Sequence, residues 1–287
     1  MDFPIQNLPA GDFPHRLNEI PQPPTTLNYR GKLPTKDLTL LSIVGSRKYT
    51  TYGKQVVDDL VQGLAGYPIG IVSGLALGID SLSHEAALRN NLYTLAIPGS
   101  GLGDNALYPA SHKSLAYKIL EAGGGMLSEF EPDFRATKWS FPQRNRLVAG
   151  ISQATLLVEA AEKSGTLITA KYTADYNRDL MVVPGSIFSK TSAGTHQFLK
   201  LGATPVTCSE DILEVLQIEP KSQQTPSNAL DLSPTELLIL DNLDEPTHRD
   251  ELIRKTGLPI DQASQLLMMM ELQGHIASEQ NIYRLVG

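Results

Sequence analysis

Seven short, largely apolar runs, most of them closing at a glycine, a proline or a polar turn, punctuate the chain between residues 39 and 206, and amphipathic stretches fall between nearly all of them. They are TLLSIV before Gly45-Ser46-Arg47, IGIVS before Gly74, YTLAI before Pro98-Gly99-Ser100-Gly101, GMLSEF at 125–130, ATLLVEA at 154–160, LMVV before Pro184-Gly185-Ser186, and ATPV at 203–206. The stretch after the first run carries Val56, Val57, Leu60, Val61 and Leu64 on one helical face. Apolar strands alternating with helices predict a parallel sheet covered on both faces. The expected fold is therefore α/β: an extended, Rossmann-like, doubly wound, mostly parallel sheet over about 27–218. In such a sheet ligands bind beyond the carboxyl ends of the strands, where the glycine turns fall.

The flanking segments read differently. Residues 1–26 hold six prolines and no helical periodicity, which predicts an extended arm that lies on the main domain or stays mobile. LNYRG, just after it, is a possible edge strand. Residues 219–231 are polar and aperiodic and read as a linker. Beyond it, over 232–287, Ser233-Pro234 and Glu236 open a capped helix. A second helix is expected over Thr247 to Lys255 and a third over Ile260 to Gln273, stopped by Gly274; the strands HIAS and IYRLV complete a winged-helix pattern.

The net charge of -7 is unevenly spread. Residues 231–287 carry ten acids and four bases, whereas the first 230 residues hold 21 acids and 20 bases. Within that near-neutral part, residues 134–146 hold four bases and no acid, so a local basic patch coexists with an acidic tail domain. The third winged-helix element contains Asp261 and Glu271 but no Lys or Arg, which argues against duplex reading and favours a protein contact, with the run Leu266 to Met270 as apolar surface. No apolar run approaches the roughly 20 residues that span a bilayer. The amino-terminal segment has no basic start followed by an apolar stretch, and the single cysteine, Cys208, fits a reducing compartment, so a cytoplasmic location without membrane contact is expected.

No catalytic constellation emerges. Gly99-Ser100-Gly101-Leu102-Gly103 is GxGxG rather than the dinucleotide GxGxxG, and the Walker-A, HExxH and GxSxG patterns are missing. The six histidines lack metal-ligand spacing, and His84, Asp80 and Glu85 read as ordinary helix residues. No cofactor or metal is expected. Anion binding is better supported. Ser164-Gly165-Thr166 and Ser73-Gly74 each precede a helix and present backbone N–H groups at its positive end, and Arg47 lies in the first strand-end turn. The segment Lys138 to Arg146 sets cations around Phe141, a combination suited to a flexible polyanion with stackable bases. A groove for several successive phosphates explains these features jointly.

Together these residues resemble the DNA-processing protein A family, also called Smf, known from natural transformation. The matching motifs are IVGSRKYTTYG at 43–53, SGLALGID at 73–80, GLGDNALYP at 101–109, FPQRNRLVAGIS at 141–152, VEAAEKSGTLITA at 158–170 and VPGS at 183–186, in order over about 27–287. The resemblance implies a non-catalytic protein that dimerises through its Rossmann domain, binds and protects single-stranded DNA, and loads the RecA recombinase onto it. By position, it places Ser46, Arg47, Lys48, Gly74, Lys138, Phe141, Arg144, Asn145 and Arg146 in the DNA groove, with Phe141 as the stacking ring, and adds phosphate contacts from Ser164, Gly165 and Thr166. The family often carries a helical domain ahead of the Rossmann domain, and the proline-rich arm is expected to stand in its place here. His112 and His196 stand where the family usually shows Asn, and are expected to hold loop geometry. The alternative is a phosphoribohydrolase of the lonely-guy type on a similar sheet, although its Pro-Gly-Gly-x-Gly-Thr motif is not found.

Overall fold

A computed structural model describes residues 3–220, 233–243, 246–272, 275–279 and 281–285. The chain divides into two compact units, Met1–Pro220 and Lys221–Gly287. Most of the expected linker, residues 221–231, lies outside the described residues, as do Gln273 and Gly274.

The first unit is built on a nine-stranded sheet: β1 (Gln6–Leu8), β2 (Leu27–Gly31), β3 (Thr39–Val44), β4 (Ile69–Ser73), β5 (Tyr93–Ala96), β6 (Gly125–Ser128), β7 (Ala154–Leu157), β8 (Asp179–Val182) and β9 (Thr204–Pro205). Its order is β1-β2-β6-β5-β4-β3-β7-β8-β9. The strands from β6 to β9 in this order run parallel, and β2 and β1 close one edge antiparallel. The connecting helices are α1 (His15–Asn18), α2 (Thr51–Gly63), α3 (Ile79–Arg89), α4 (Lys113–Glu121), α5 (Ser140–Ile151), α6 (Thr166–Asp175), α7 (Ala193–Lys200) and α8 (Ser209–Val215).

Strand alternation sorts the core into two layers. Leu41 and Ile43 pack with Val57, Leu60 and Val61 of α2 and Ile79 and Leu82 of α3; Leu40 and Val44 face the other way, onto Leu147, Val148 and Ile151 of α5. Each such fully buried Leu or Ile contributes about 2 kcal/mol of transfer free energy. From β3 the sheet grows through β4, β5 and β6 on one side and through β7, β8 and β9 on the other. The crevice between the carboxyl ends of β3 and β7 is the topological switch point, the place where a sheet of this kind receives a ligand.

Of the two expectations for the amino-terminal arm, lying on the main domain or staying mobile, the structure shows the first. The arm supplies the edge strand β1, which pairs with β2 from Gln6↔Tyr29 to Leu8↔Leu27, so LNYRG is second from the edge. Phe13, Leu17 and Ile20 are buried in the layer under α5. Gly150 makes this docking feasible, because a Cβ there would meet Ile20 at 2.8 Å. Arg178 ties the arm down further, donating to Glu19 Oε2 at 2.6 Å and to the Arg16 carbonyl at 3.2 Å. Isolated apolar anchors between prolines carry no periodic signal, which is why the sequence alone leaves open whether the arm docks.

The second unit consists of α9 (Pro234–Leu240), β10 (Thr247–His248), α10 (Arg249–Thr256), α11 (Ile260–Leu272), β11 (Ile276–Glu279) and β12 (Ile282–Leu285). It is a winged helix. Ser233 accepts the Glu236 N–H, and the Glu236 carboxylate accepts the Ser233 N–H at 2.6 Å, closing the expected capping box. Thr247 and His248 are not helical as expected; they pair with Tyr283 and Ile282 of β12 as a third strand. Leu267 and Met270 enter the core, whereas Met268 and Met269 are exposed.

Candidate nucleic-acid interface

The switch point opens as a cleft of about 560 Å³. Five separated segments meet there: the turn after β3 (Ser46, Arg47, Lys48), the loop after β4 (Gly74, Ala76, Asp80), one face of α5, the turn opening α6 (Ser164, Gly165, Thr166), and Thr191 before α7. Of the α5 residues that line it, Phe141, Arg144, Asn145 and Val148 form the i, i+3, i+4, i+7 stripe of a single helical face, with Pro142 beside them.

Each wall is fixed by local bonds. Ser46 Oγ donates to the Lys48 carbonyl at 2.8 Å and accepts the Lys48 N–H at 3.1 Å, leaving the Arg47 and Lys48 side chains exposed. The Thr166 hydroxyl donates to the Gly45 carbonyl at 2.8 Å, so the amino end of α6 is tied to the end of β3 and opens its partial positive charge on the cleft. Ser140 Oγ donates to the Gly99 carbonyl at 2.6 Å and anchors the start of α5. Arg47 lies over the Phe141 ring, with its guanidinium carbon 5.1 Å from the ring centroid.

Of the residues expected in the groove, ten line this cleft, and two do not: Lys138 is exposed just before α5, outside the lining, and Arg146 points away. Residues 134–146 are not one continuous basic ribbon, because α5 begins at Ser140 and positions 144 and 146 are about 200° apart around it. Arg146 is buried and paired with the buried carboxylate of Glu129, and it donates to the Gln22 carbonyl at 2.5 Å. Its cation serves the fold.

Arg144 also differs from a surface phosphate clamp. It is 4% exposed, and its Nη1 donates to the carbonyls of Gly74 and Ile97 at the ends of β4 and β5. Burial pushes its pKa down to about 10, with Asp80 opposing and Arg47 reinforcing that shift, so it stays charged at neutral pH. The Ser73-Gly74 turn is likewise not a vacant anion seat. Asp80 Oδ2 accepts the N–H groups of Gly74 at 3.1 Å and Ala76 at 3.4 Å, and the Ile79 N–H donates to the Ser46 carbonyl. Burial raises the Asp80 carboxyl, against the opposing pull of Arg144, the two loop N–H groups and Arg47. Asp80, expected only to open a helix, fills the seat expected for a phosphate.

His112 and His196 hold loops, as expected: a ring nitrogen of His112 lies 2.8 Å from the Leu75 carbonyl and one of His196 lies 3.0 Å from the Gly185 carbonyl. Among the described residues no group of three or more His, Cys, Asp or Glu side chains is gathered to hold a metal ion, and no helix is long and apolar enough to cross a membrane.

A doubly wound sheet with a cation-lined cleft at its switch point, joined to a winged helix, places the chain among Rossmann-type proteins with an appended winged-helix unit. More specifically, it belongs to the DNA recombination-mediator protein A family, whose model matches residues 7–217, and the DprA winged helix domain model matches residues 223–280. Protein Smf of Escherichia coli is 35% identical over 274 residues, covering 93% of this chain and 73% of that protein. The DNA processing protein DprA of Bacillus subtilis is 37% identical, over 74% of this chain and 71% of its own length. The X-ray structure of DprA from Streptococcus pneumoniae superposes with a TM-score of 0.68 at 36% identity, over 75% of this chain and 74% of that one. DNA processing protein A of Helicobacter pylori, whose structure describes a unique single-stranded DNA binding mode, gives a TM-score of 0.65 at 30% identity, over 75% of this chain and 96% of that one.

Proposed function

We propose that this chain binds and protects single-stranded DNA through the switch-point cleft and, without catalysing a reaction, delivers the strand to the RecA recombinase during natural transformation. One observation supports the binding step above all: exposed Arg47 and Lys48, the α6 amino terminus and the aromatic face of α5 meet in one cleft, although they come from distant parts of the sequence. A volume of about 560 Å³ accommodates a nucleotide, with the remainder of the strand crossing the rim past exposed Lys138. Cations matched to phosphates and rings matched to base faces bind any sequence. The Helicobacter relative supports the choice of a single strand. Recombinase loading, dimerisation through the Rossmann unit and a cytoplasmic location are inferred from family membership. Exposed Ile187, Phe188 and Leu201 supply apolar surface in that unit for a second copy, and two linked grooves raise apparent affinity through effective concentration. The acidic α11, with Met268 and Met269 exposed, suits a protein partner better than a duplex.

Fluorescence anisotropy of a labelled oligo-dT, over a salt series and against a duplex competitor, tests the reading. Binding that survives the duplex and weakens with salt, with a slope of about -0.7 per phosphate neutralised, is expected. No binding at low salt overturns it, and release of base from nucleoside monophosphates would then identify the phosphoribohydrolase alternative.

A further inference from the structure

Glu159, just beyond the carboxyl end of β7, is 3% exposed and does not line the switch-point cleft. Its side chain nevertheless holds two of the segments that do. Oε2 accepts the Thr50 N–H at 2.9 Å, and Oε1 accepts the hydroxyls of Thr50 at 2.7 Å and of Thr191 at 3.0 Å. All three partners donate, which suits an ionised carboxylate, a group that only accepts. Thr50 Oγ1 in turn accepts the Gly53 N–H at 3.1 Å and caps α2. A Cβ at Gly53 would collide with Oε2, so α2 seats against the carboxylate only with glycine there.

Arg47 and Lys48 therefore stand between two anchors. On the β3 side, the Ile79 N–H donates to the Ser46 carbonyl at 3.1 Å and the Thr166 hydroxyl to the Gly45 carbonyl at 2.8 Å. On the α2 side the turn ends at Thr50, and Thr50 is bound to Glu159. The Thr191 carbonyl accepts the N–H of Ala160, the next residue, at 2.7 Å, so the same point of the chain fixes Thr191 at the cleft wall. Away from the cleft, Glu159 borders a separate cavity of about 440 Å³, lined also by Tyr52, Ser186, Ser189 and Ser192 and by no Lys or Arg. Among the described residues the carboxylate has no ion-pair partner. An unpaired negative charge this close to Lys48 repels a phosphate through space. Its effect on DNA is then unfavourable unless it acts through the turn that it holds.

We propose, on the basis of the single-stranded DNA reading above, that Glu159 is a positioning residue for the phosphate-binding turn. It sets Arg47 and Lys48 toward the strand and holds Thr191 at the wall without touching the DNA.

The sign of the effect tests this. Glu159→Gln and Glu159→Ala both remove the charge, so relief of repulsion alone tightens oligo-dT binding, whereas loss of positioning weakens it. In anisotropy titrations of the full chain over a salt series, Glu159→Ala is expected to bind about tenfold more weakly, the scale of one charge-assisted contact, with the salt slope smaller by about 0.7 for each phosphate released. Glu159→Gln keeps an acceptor oxygen and is expected to recover part of both. Lys48→Ala is expected to cost less in the Glu159→Ala background than in the unsubstituted chain, because both changes remove the same contact. Thr50→Val keeps the charge and breaks one bond to it; it is expected to weaken binding in the same direction, and it carries the test if Glu159→Ala does not fold. Urea midpoints identify the folded variants. A merely structural carboxylate lowers the midpoint and leaves affinity and salt slope unchanged. That result, tighter binding, or additive losses with Lys48→Ala overturns the assignment. If the unsubstituted chain does not bind oligo-dT at low salt, the single-strand reading itself falls.

Discussion

Asp80 Oδ2 accepts the Gly74 N–H at 3.1 Å, so the chain's own carboxylate occupies the seat that the Ser73-Gly74 turn offers to an anion. The same carboxylate faces Arg144, which is 4% exposed. Asp80→Asn keeps an oxygen for the loop but leaves the guanidinium without its countercharge. The two charges act on each other across the loop without a direct ion pair, so urea unfolding should show a loss of about 1 kcal/mol, below the roughly 3 kcal/mol of a buried ion pair broken from one side. An unchanged midpoint would mean that the Gly74 and Ile97 carbonyls alone compensate Arg144.

Arg146 and Glu129 allow a cleaner separation of stability from binding. Both are buried, and they pair away from the cleft. Arg146→Ala strands a carboxylate whose burial already raises its pKa, and should destabilise the chain by about 3 kcal/mol. Adding Glu129→Gln removes the stranded charge and should recover part of that loss. Affinity for oligo-dT, measured where both variants are folded, should match that of the unsubstituted chain. A tenfold loss in the folded variant would put Arg146 back in the DNA path.

These two arginines also mark where the sequence stops being informative. The strands are legible because an apolar run such as Ile69–Ser73 can only sit inside a sheet, and the glycine turns locate the carboxyl edge. Charge counting over residues 134–146 does not distinguish a cation in solvent from one with a partner, because Glu129 reaches Arg146 only through the tertiary fold. Helical phase separates them: placing the start of α5 at Ser140 sends 141, 144, 145 and 148 to the cleft and 146 to the core. The helical expectation for Thr247 and His248 fails for a related reason. Two residues carry no strand periodicity, and only the partner β12 defines them.

The exposed cations should divide by distance from the cleft. Arg47→Ala and Lys48→Ala remove lining charges, so each should weaken oligo-dT binding and reduce the magnitude of the salt slope by about 0.7 for each phosphate left without its cation. Lys138 lies outside the lining, so Lys138→Ala should do the same only on strands long enough to leave the cleft. Anisotropy on a short and a long oligo-dT checks this. Equal weakening by Lys138→Ala on both lengths would place its phosphate inside the cleft.

His84 supplies a pH signature of the fold. It is fully buried, with Nδ1 2.7 Å from Thr94 Oγ1 and no hydrogen-bond partner for Nε2. Burial, reinforced by His112 and Arg144, pushes its pKa down to about 3. An unfolded histidine protonates near pH 6.5, so between about 6.5 and 3 the unfolded chain binds a proton that the folded chain refuses. Stability should therefore fall as pH drops below about 6.5, at up to about 1.4 kcal/mol per unit from this residue, and be insensitive to it above. His84→Gln removes that titration. Urea unfolding of both proteins at pH 7, 6 and 5 should show the unsubstituted chain losing ground to the variant as the solution is acidified, whereas a constant difference would mean that His84 titrates alike in the folded and unfolded chains.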